Sequence, residues 1–277
     1  MPRFEPHPQR RPALVAGASS GIGAATAIKL AQLGHPVALG ARRRDKCAEL
    51  VEQLRADGHD AVALDLDVTS DESVAAFVAA AEAAHGPTEI MVNAAGDIDP
   101  GELHTLAPGA FAAQVDVHLV GAHRMAAAVL PGMTSRRRGD AVFIGSDVAL
   151  VPRPHLGAYG AAKAGVIAMV ETMRMELEGT GVRASVVHPG PTQTAMGSTW
   201  SAEATGPLLE AWMAWGFARH PFFLRAAHLA DAVATVVGQE RGAHIVSIEV
   251  EPEAPLKEPA EDSVEQSREA AVAAEVS

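Results

Sequence analysis

Residues 13–23 read Ala-Leu-Val-Ala-Gly-Ala-Ser-Ser-Gly-Ile-Gly, and this stretch decides the fold. A short apolar run, Ala13–Ala16, leads into a glycine-rich turn, Gly17–Gly23, and an Ala-rich helical pattern follows. Glycines suit a turn that bends sharply and approaches a pyrophosphate, and a helix start offers free N–H groups. The stretch predicts a strand, a phosphate-binding turn and a helix, although a simple tight turn would also use these glycines. It lacks the Gly-Lys-Ser/Thr ending of a nucleoside-triphosphate P-loop.

Outward from this turn, short apolar runs alternate with helical segments. The runs are continuously apolar, which predicts strands buried on both faces of a parallel sheet. The alternation predicts one α/β domain, a doubly wound parallel sheet over residues 12–255. The predicted strands are Ala13–Ala16, Val37–Ala41, Ala61–Val68, Ile90–Asn93, Ala141–Gly145, Val182–His188 and Ile245–Val250. The six predicted helices lie near residues 21–33, 44–57, 70–84, 107–132, 157–179 and 226–238.

Two regions break this alternation. Residues 195–225, called the lid segment below, connect one motif to the next helix without a predicted strand and hold all three tryptophans. Residues 256–277 are rich in Glu and Ala, which predicts a disordered acidic tail. Residues 1–11 are assigned to an N-terminal extension.

Composition excludes several classes of protein. The formal net charge is −12, half of it in residues 251–277, which hold eight acidic and two basic residues. Nucleic-acid affinity comes mainly from Lys and Arg, so no nucleic-acid partner is expected. Cys47 is the single cysteine, which rules out an intrachain disulfide and fits a reducing compartment. Since Met1–Arg11 lacks a secretion-signal core and no apolar run reaches roughly 18 residues, we expect a cytoplasmic protein without membrane contact.

Three arginines, Arg42, Arg43 and Arg44, follow the second predicted strand. Dinucleotide folds often place an acidic residue here to hold the adenosine ribose hydroxyls. An arginine can instead grip a 2′-phosphate with its planar fork of donors, which favours NADP(H) over NAD(H) and makes Arg42 the first candidate and Arg43 the second. The alternative is three solvated arginines at a helix start, although positive charge there opposes the helix dipole.

Tyr159 and Lys163 are four residues apart in a helical pattern, so their side chains share one face. A phenol with a pKa of about 10 needs a large downward shift to exchange protons near neutrality, and an ammonium about 5 Å away contributes on the order of 3 kcal/mol. The spacing therefore predicts an acid/base tyrosine whose pKa Lys163 lowers. Ser146, at the end of a predicted strand, can donate a hydrogen bond to a substrate oxygen, or it is a simple strand-end cap.

Further motifs accompany these residues, and the full set in chain order is Gly17-x-x-x-Gly21-x-Gly23, Asp67-Val68, Asn93-Ala94-Ala95-Gly96, Ser146, Tyr159-x-x-x-Lys163 and Pro189-Gly190-x-x-x-Thr194. Together these motifs resemble the short-chain dehydrogenase/reductase family over roughly residues 12–250. The resemblance implies a Rossmann-type fold and hydride transfer between NADP(H) and a carbonyl or alcohol. Ser146 would orient the reacting oxygen, Tyr159 would be the acid/base, and Lys163 would also hold the nicotinamide ribose.

The resemblance also implies cofactor contacts beyond the tyrosine and lysine, and a homodimer or homotetramer built on the helices near 107–132 and 157–179. Asp67 and Val68 would line the adenine, Asn93 would steady the sheet beside the cofactor, and Thr194 would contact the nicotinamide half. The implied cofactor-binding residues are Gly17, Ser19, Ser20, Gly21, Ile22, Gly23, Asp67, Val68, Asn93, Ala94, Pro189, Gly190, Thr192 and Thr194.

The chain departs from the family pattern at several positions. Ala16 and Ala94 replace a usual threonine and a usual asparagine. His118 replaces the asparagine whose backbone carbonyl holds a relay water in the family, so it is a fourth candidate catalytic residue or a structural substitute. The last predicted strand continues into Glu249–Pro255 rather than the frequent Asp-Gly-Gly ending, which bears on C-terminal packing.

The lid segment concentrates aromatic and apolar side chains. Either it covers a bulky, apolar substrate, or its rings belong to the core or a subunit interface. The aromatic and apolar residues of the lid segment are Met196, Trp200, Trp212, Met213, Trp215, Phe217, Phe222 and Phe223.

The histidines form no i, i+4 pair and no Cys/His cluster, so no metal site is predicted. Two alternative functions remain. One is a 3-ketoacyl-thioester reductase or hydroxyacyl dehydrogenase, and the other is an inactive NADP-binding regulator.

Overall fold

A computed structural model of the chain describes residues 5–194, 200, 202–217, 220 and 222–256. Seven strands form one parallel sheet in the order β3-β2-β1-β4-β5-β6-β9, and two short strands, β7 and β8, pair separately. The strands are β1 Ala13–Ala16, β2 Val37–Ala41, β3 Ala61–Asp65, β4 Ile90–Asn93, β5 Gly139–Ile144, β6 Val182–Pro189, β7 Thr192–Gln193, β8 Leu224–Arg225 and β9 Ser247–Val250.

Helices cover both faces of the sheet. One face packs against α1, α2 and α8, and the other against α3, α5 and α6. The predicted doubly wound α/β fold is confirmed. No helix in the described ranges is long and apolar enough to cross a membrane. The helices are α1 Gly21–Gln32, α2 Arg44–Ala56, α3 Asp71–His85, α4 Pro108–Val115, α5 Gly121–Ser135, α6 Gly157–Glu176, α7 Ala202–Ala214 and α8 Ala226–Val237.

The central strands are buried on both faces, as their continuous apolar runs predict. Every residue of β1, β2, β4 and β5 is buried. Several bounds differ from the prediction: β3 stops at Asp65, β5 begins at Gly139, and β9 begins at Ser247. Strand ends depend on where the partner strand ends, which a pattern of apolar residues does not specify.

Two element predictions are wrong. The region near 107–132 is not one continuous helix, because the π-helical turn Asp116–Val120 separates α4 from α5. The lid segment contains α7 and β8, although no strand was expected there. Gly206 and Pro207 interrupt the helical pattern of α7, and both residue types lower helix propensity.

The amino end of the sheet holds a buried ion-pair network. Arg11, the last residue of the assigned N-terminal extension, is 2% exposed and pairs with Asp140 and, at 3.6 Å, with Glu89. Arg183 donates to the other oxygen of Asp140 at 2.5 Å, and Arg138 pairs with Glu89 at 2.7 Å. The network ties the segment before β1 to the edge opposite the candidate site. The acidic tail prediction concerns residues 256–277, of which all but Leu256 lie outside the described part of the chain.

Candidate active site

The candidate residues follow strands whose carboxyl ends meet at one edge of the sheet. Strand β1 lies between β2 and β4, and the strand order runs in opposite directions on its two sides. Open α/β sheets bind ligands in the crevice outside such a switch point. The turn after β1, Asn93 at the end of β4, Ser146 after β5 and Pro189 at the end of β6 all lie at this edge.

The glycine-rich turn forms a backbone cradle. Gly17 has φ +83°, and a Cβ on it would lie 2.6 Å from the Ala95 nitrogen. Gly21, where α1 begins, has φ +56°, and a Cβ on Gly23 would overlap the Gly17 carbonyl. The Ser20 hydroxyl does not cap α1. The turn therefore presents N–H groups at a helix start without side-chain bulk, which fits a dinucleotide pyrophosphate.

The arginine run approaches this cradle through Arg43. Its Nη2 donates to the Ser19 and Ser20 hydroxyls at 3.0 and 2.9 Å. Arg44 lies 3.7 Å from Asp65, and Arg42 is exposed. Arg43, the second-ranked of the two sequence candidates, is thus the arginine in contact with the turn.

Residues after β3 and β4 lie beside the same crevice. Asp67 accepts from the Thr69 backbone N–H at 2.9 Å and from its hydroxyl at 2.7 Å, and these hydrogen bonds lower the pKa of the carboxyl. Val68 packs against Gly121 at the start of α5. The buried Asn93 Oδ1 has no hydrogen-bond partner among the described residues. An orphaned acceptor at this edge fits the proximity to a cofactor that the family resemblance implies for Asn93.

Residues after β6 close over the turn. The Thr192 hydroxyl donates to the Gly190 carbonyl at 2.8 Å. A Cβ on Gly21 would lie 3.2 Å from the Thr194 Cβ, so Thr194 packs against the glycine-rich turn. The chain after the Pro189-Gly190 motif therefore runs from the end of β6 to the glycine-rich turn.

Tyr159 and Lys163 lie on the first turns of α6, both buried. Lys163 Nζ donates to the Ile144 carbonyl at 2.6 Å and lies 5.7 Å from the centroid of the Tyr159 ring. Burial raises the pKa of Tyr159 to about 12, against a smaller lowering by the Ser146 hydroxyl. Burial lowers the pKa of Lys163 to about 8.

These values differ from the expectation that Lys163 lowers the pKa of Tyr159. Burial dominates, and the opposing effects come from the Ser146 hydroxyl and the Arg153 charge. The expectation counted one favourable charge and omitted the desolvation of the phenolate, which is larger here. A phenol with this pKa is protonated at neutral pH and can serve as a proton donor.

His118 lies in the π-helical turn and points into the same site. The imidazole is 1% exposed and meets the Tyr159 ring edge to face, with centroids 5.0 Å apart. His118 Nε2 lies 2.7 Å from the Asp97 carbonyl. Because a carbonyl only accepts, Nε2 carries the proton and Nδ1 keeps a lone pair, which has no partner among the described residues. Burial, and then the charge of Lys163, lower the pKa of His118 to about 3.

The absence of a side chain at Gly96 explains why an imidazole fits at this position. Gly96, with φ +158°, lies against the ring, and a Cβ there would overlap it. The structure therefore brings all four candidate catalytic residues, Ser146, Tyr159, Lys163 and His118, to one buried site.

Part of the lid segment packs on this site. Trp200 Nε1 donates to the Ile98 carbonyl at 2.8 Å, and Trp212 Nε1 donates to the Pro154 carbonyl at 3.1 Å. Both rings pack on a cluster that contains Tyr159 and the buried Leu208. The third tryptophan, Trp215, is 73% exposed, and Met213, Phe222 and Phe223 are also exposed. Met196 lies outside the described residues.

Sequence reasoning missed three polar residues at this site. Asp147 and Arg153, after β5, form a buried ion pair beside Ser146. His188, on β6, is buried, and a Cβ on Gly145 would lie 2.8 Å from its Nδ1. Burial lowers the pKa of His188. The available signal was polarity for Asp147 and His188, which adjoin the motif residues Ser146 and Pro189, whereas Arg153 adjoins none. In the described ranges, no group of three or more His, Cys, Asp or Glu could hold a metal ion.

A glycine cradle at the switch point of a doubly wound sheet defines a dinucleotide-binding α/β protein, and Tyr159 and Lys163 are buried at the same edge of the sheet. The family model described as short chain dehydrogenase matches residues 11–205. The chain belongs to the short-chain dehydrogenase/reductase family, whose members are oxidoreductases that use a nicotinamide cofactor, and the predicted family is confirmed.

Individual relatives differ in activity. The chain is 40% identical over 193 residues to the glycine betaine reductase ATRR of Emericella nidulans, a match that covers 69% of this chain and 15% of that protein. It is 40% identical over 188 residues to the monensin polyketide synthase putative ketoacyl reductase of Streptomyces virginiae, covering 67% of this chain and 72% of that protein. The solved structure of a variant of the actinorhodin polyketide ketoreductase with NADPH matches with a TM-score of 0.78 at 29% identity, covering 88% of this chain and 96% of that chain.

Proposed function

We propose that the chain transfers a hydride between NADP(H) and a bulky, apolar carbonyl or alcohol substrate. The observation that carries this proposal is the position of Tyr159, buried beside Ser146 and Lys163 and covered by Trp200 and Trp212. A site with apolar walls and few polar groups favours an apolar substrate and fixes only the reacting oxygen.

Each polar residue has a separate task in the proposed reaction. When bound, the nicotinamide supplies or accepts the hydride. Tyr159 donates a proton to the carbonyl oxygen in reduction, and a pKa of about 12 keeps the phenol protonated at neutral pH. The Ser146 hydroxyl, whose single proton points to Asp147 Oδ1 in the structure, turns to donate to the same oxygen and stabilises the charge that develops on it. Lys163 holds the cofactor ribose on the tyrosine side.

His118 serves this reaction as a neutral group. With a pKa of about 3, the imidazole does not gain or lose a proton between pH 5 and 9. The backbone of the π-helical turn can hold a relay water, as the family resemblance implies. The unpartnered Nδ1 is a second acceptor on the same side of Tyr159.

The preference for NADP(H) is proposed from the arginines after β2. Arg43 contacts Ser19 and Ser20, and Arg42 is exposed beside it, so a 2′-phosphate would meet cationic groups and hydroxyl donors together. The similar polyketide ketoreductase structure contains NADPH.

A 3-ketoacyl-thioester or polyketide-like ketone is the second candidate substrate class. The relatives from polyketide synthases are named as ketoacyl reductases or ketoreductases. Such substrates are long and carry apolar chains or rings, so they also suit the Trp200 and Trp212 covering.

A panel assay tests the proposed substrate class. NADPH oxidation is measured with bulky apolar ketones, 3-ketoacyl thioesters, short sugars and small hydroxy-acid precursors. We expect kcat/KM to be highest for the bulky apolar carbonyls or the ketoacyl thioesters. Equal rates with small polar substrates would contradict the apolar assignment, and no oxidation with any carbonyl would favour an inactive NADP-binding regulator.

We also propose a cytoplasmic homodimer or homotetramer built on α4, α5 and α6. No residue of α4 is buried in the single chain, although the helix carries Phe111 and several alanines. Light scattering after size-exclusion chromatography should give a mass two or four times that of one chain.

A further inference from the structure

Asp147 follows the candidate Ser146 and interacts with it directly. The Asp147 side chain is buried, and its Oδ1 accepts from the Ser146 hydroxyl at 3.1 Å and from the Val148 backbone N–H at 2.8 Å. Its other oxygen, Oδ2, forms an ion pair with Arg153 Nη2. A buried carboxylate beside a catalytic hydroxyl is costly without a counter-charge, so Arg153 is required for Asp147 to be tolerated.

Arg153 also contacts the lid segment. Its guanidinium carbon lies 5.3 Å from the centroid of the Trp212 ring and 5.9 Å from that of Phe217. A guanidinium can pair with a carboxylate through its edge and stack on rings through its face, which an ammonium cannot do. One side chain therefore joins α7 and the residues after it to the carboxylate that accepts from Ser146.

Asp147 and Arg153 also act on Tyr159 with opposite signs. The Asp147 carboxylate raises the pKa of Tyr159, and the Arg153 charge lowers it. The other titratable groups near this phenol in the described part of the chain are Lys163 on the same helix and the neutral His118 across the ring. The lid side adds apolar and aromatic groups. Losing one partner of the ion pair thus leaves one unbalanced charge near the proton donor.

We propose that Asp147 and Arg153 are positioning residues that couple the seating of α7 to the orientation of the Ser146 hydroxyl. With Trp212 and Phe217 against the guanidinium, Arg153 is held on Asp147, and Asp147 in turn holds the Ser146 hydroxyl until the substrate oxygen replaces the carboxylate as the acceptor of its proton. This inference rests on the proposed function, since it assigns residues to the same site. The intact pair has a second effect. Because its two charges oppose each other, the proton affinity of Tyr159 stays close to the value it would have if neither charge were present.

The rate of alcohol oxidation tests the electrostatic part. In this direction Tyr159 must lose its proton, and with a pKa of about 12 its phenolate fraction, and so kcat/KM, rises about tenfold per pH unit through pH 9. At pH 9, Arg153→Gln leaves Asp147 unbalanced and should lower kcat/KM by about tenfold or more. Asp147→Asn leaves Arg153 unbalanced and should raise kcat/KM, while the double variant should return close to wild type. Arg174→Gln, which removes a half-buried pair with Glu171 elsewhere on α6, should leave kcat/KM unchanged.

Tryptophan emission tests the coupling without any turnover. In a Trp215→Phe background, Arg153→Lys keeps the charge but loses the stacking, so acrylamide should quench the remaining tryptophans more strongly. Values of kcat/KM at pH 9 that stay unchanged, or that change in the same direction in both single variants, would overturn the inference in an active enzyme. If the wild type neither oxidises an alcohol nor reduces a carbonyl, the proposed function fails instead. Unchanged quenching in Arg153→Lys then overturns the coupling separately.

Discussion

The ring centroids of Tyr159 and His118 lie 5.0 Å apart, and burial shifts the pKa of each side chain in the direction that keeps it neutral. The pKa of Tyr159 rises to about 12 and that of His118 falls to about 3. Burial disfavours the charged form of any group, so in one dry site the pKa of an acid rises and the pKa of a base falls. A neutral phenol can donate a proton, as the proposed reaction requires, and the neutral imidazole offers an acceptor.

The buried imidazole makes the protein sensitive to acid. His118 has a pKa of about 3 in the folded protein against 6.5 unfolded, so the unfolded chain binds the proton first as the pH falls. Its contribution to stability is complete above pH 6.5 and is lost as the pH falls towards 3, at roughly 1.4 kcal/mol per pH unit. Urea unfolding at pH 7, 6, 5 and 4 gives the free energy of unfolding at each pH. This free energy should fall less steeply with decreasing pH in His118→Asn than in wild type.

The same variant separates backbone from side-chain roles of His118. We expect His118→Asn to keep substantial activity with a pH profile close to wild type, since the backbone carbonyl remains. His123→Asn, at an exposed histidine on α5, is the control and should change neither the acid slope nor the activity. A large loss of kcat in His118→Asn would show that Nδ1 itself takes part.

Arg43 should set the choice of cofactor. Removing a charge-assisted contact to the 2′-phosphate costs about 1.5 to 3 kcal/mol, so Arg43→Ala should weaken NADP binding about 10- to 100-fold and leave NAD binding nearly unchanged. Isothermal titration with both cofactors measures this, with Arg44→Ala, which lies near Asp65, as the control. Equal losses for NADP and NAD would contradict the assignment, and the same selective loss in Arg42→Ala would place the phosphate on both arginines.

Motif residues were predictable from sequence because each meets a local demand. Gly17 and Gly21 need a positive φ, and Tyr159 and Lys163 share one face of α6 through their spacing alone. Asp147 and Arg153 meet no such local demand. They pair across the turn between them, and Arg153 packs on Trp212 and Phe217, a tertiary contact that a local pattern does not show.

At the scale of elements, α7 packs against the candidate site. Trp212 lies on its inner side and Trp215 just beyond its end, exposed. The two tryptophans are therefore matched probes of the same segment.

Trp212→Ala should lower kcat/KM for bulky apolar ketones by about 10- to 100-fold, since burying one large apolar side chain contributes about 1.5 to 3 kcal/mol. NADPH affinity should change little. Trp215→Ala should leave the substrate ranking in place. If neither variant loses the preference for bulky substrates, these rings belong to the core or to a subunit interface.

The sheet was predictable where burial on both faces leaves a continuous apolar run, as in β1, β2 and β4. The lid segment was not, because Gly206 and Pro207 obscure α7 and because β8 has only two residues. The π-helical turn was also missed, since α4 and α5 continue it directly on both sides and no turn residue marks it.

At the scale of the whole molecule, the ion-pair network and the candidate site occupy opposite edges of the sheet. Arg11, Glu89 and Asp140 are all buried at the amino end. The network can therefore be disrupted without touching the residues proposed for cofactor and substrate.

Arg11→Ala leaves buried carboxylates without part of their counter-charge and should lower the free energy of unfolding by about 3 to 5 kcal/mol. Arg10→Ala, which removes an exposed pair with Asp60, should cost less than about 1 kcal/mol. Urea denaturation measures both. A small effect of Arg11→Ala would show that water or a neighbouring group compensates the carboxylates.

The central claim is that Tyr159 carries the proton of a nicotinamide-dependent carbonyl reduction. NADPH oxidation by wild type and Tyr159→Phe, with one bulky apolar ketone and with NADPH affinity measured in parallel, tests it most directly. We predict that Tyr159→Phe loses more than nine-tenths of kcat while the Kd for NADPH stays nearly unchanged. Retention of more than about a tenth of kcat, a barrier change below about 1.4 kcal/mol, would contradict the account and assign proton transfer to another residue.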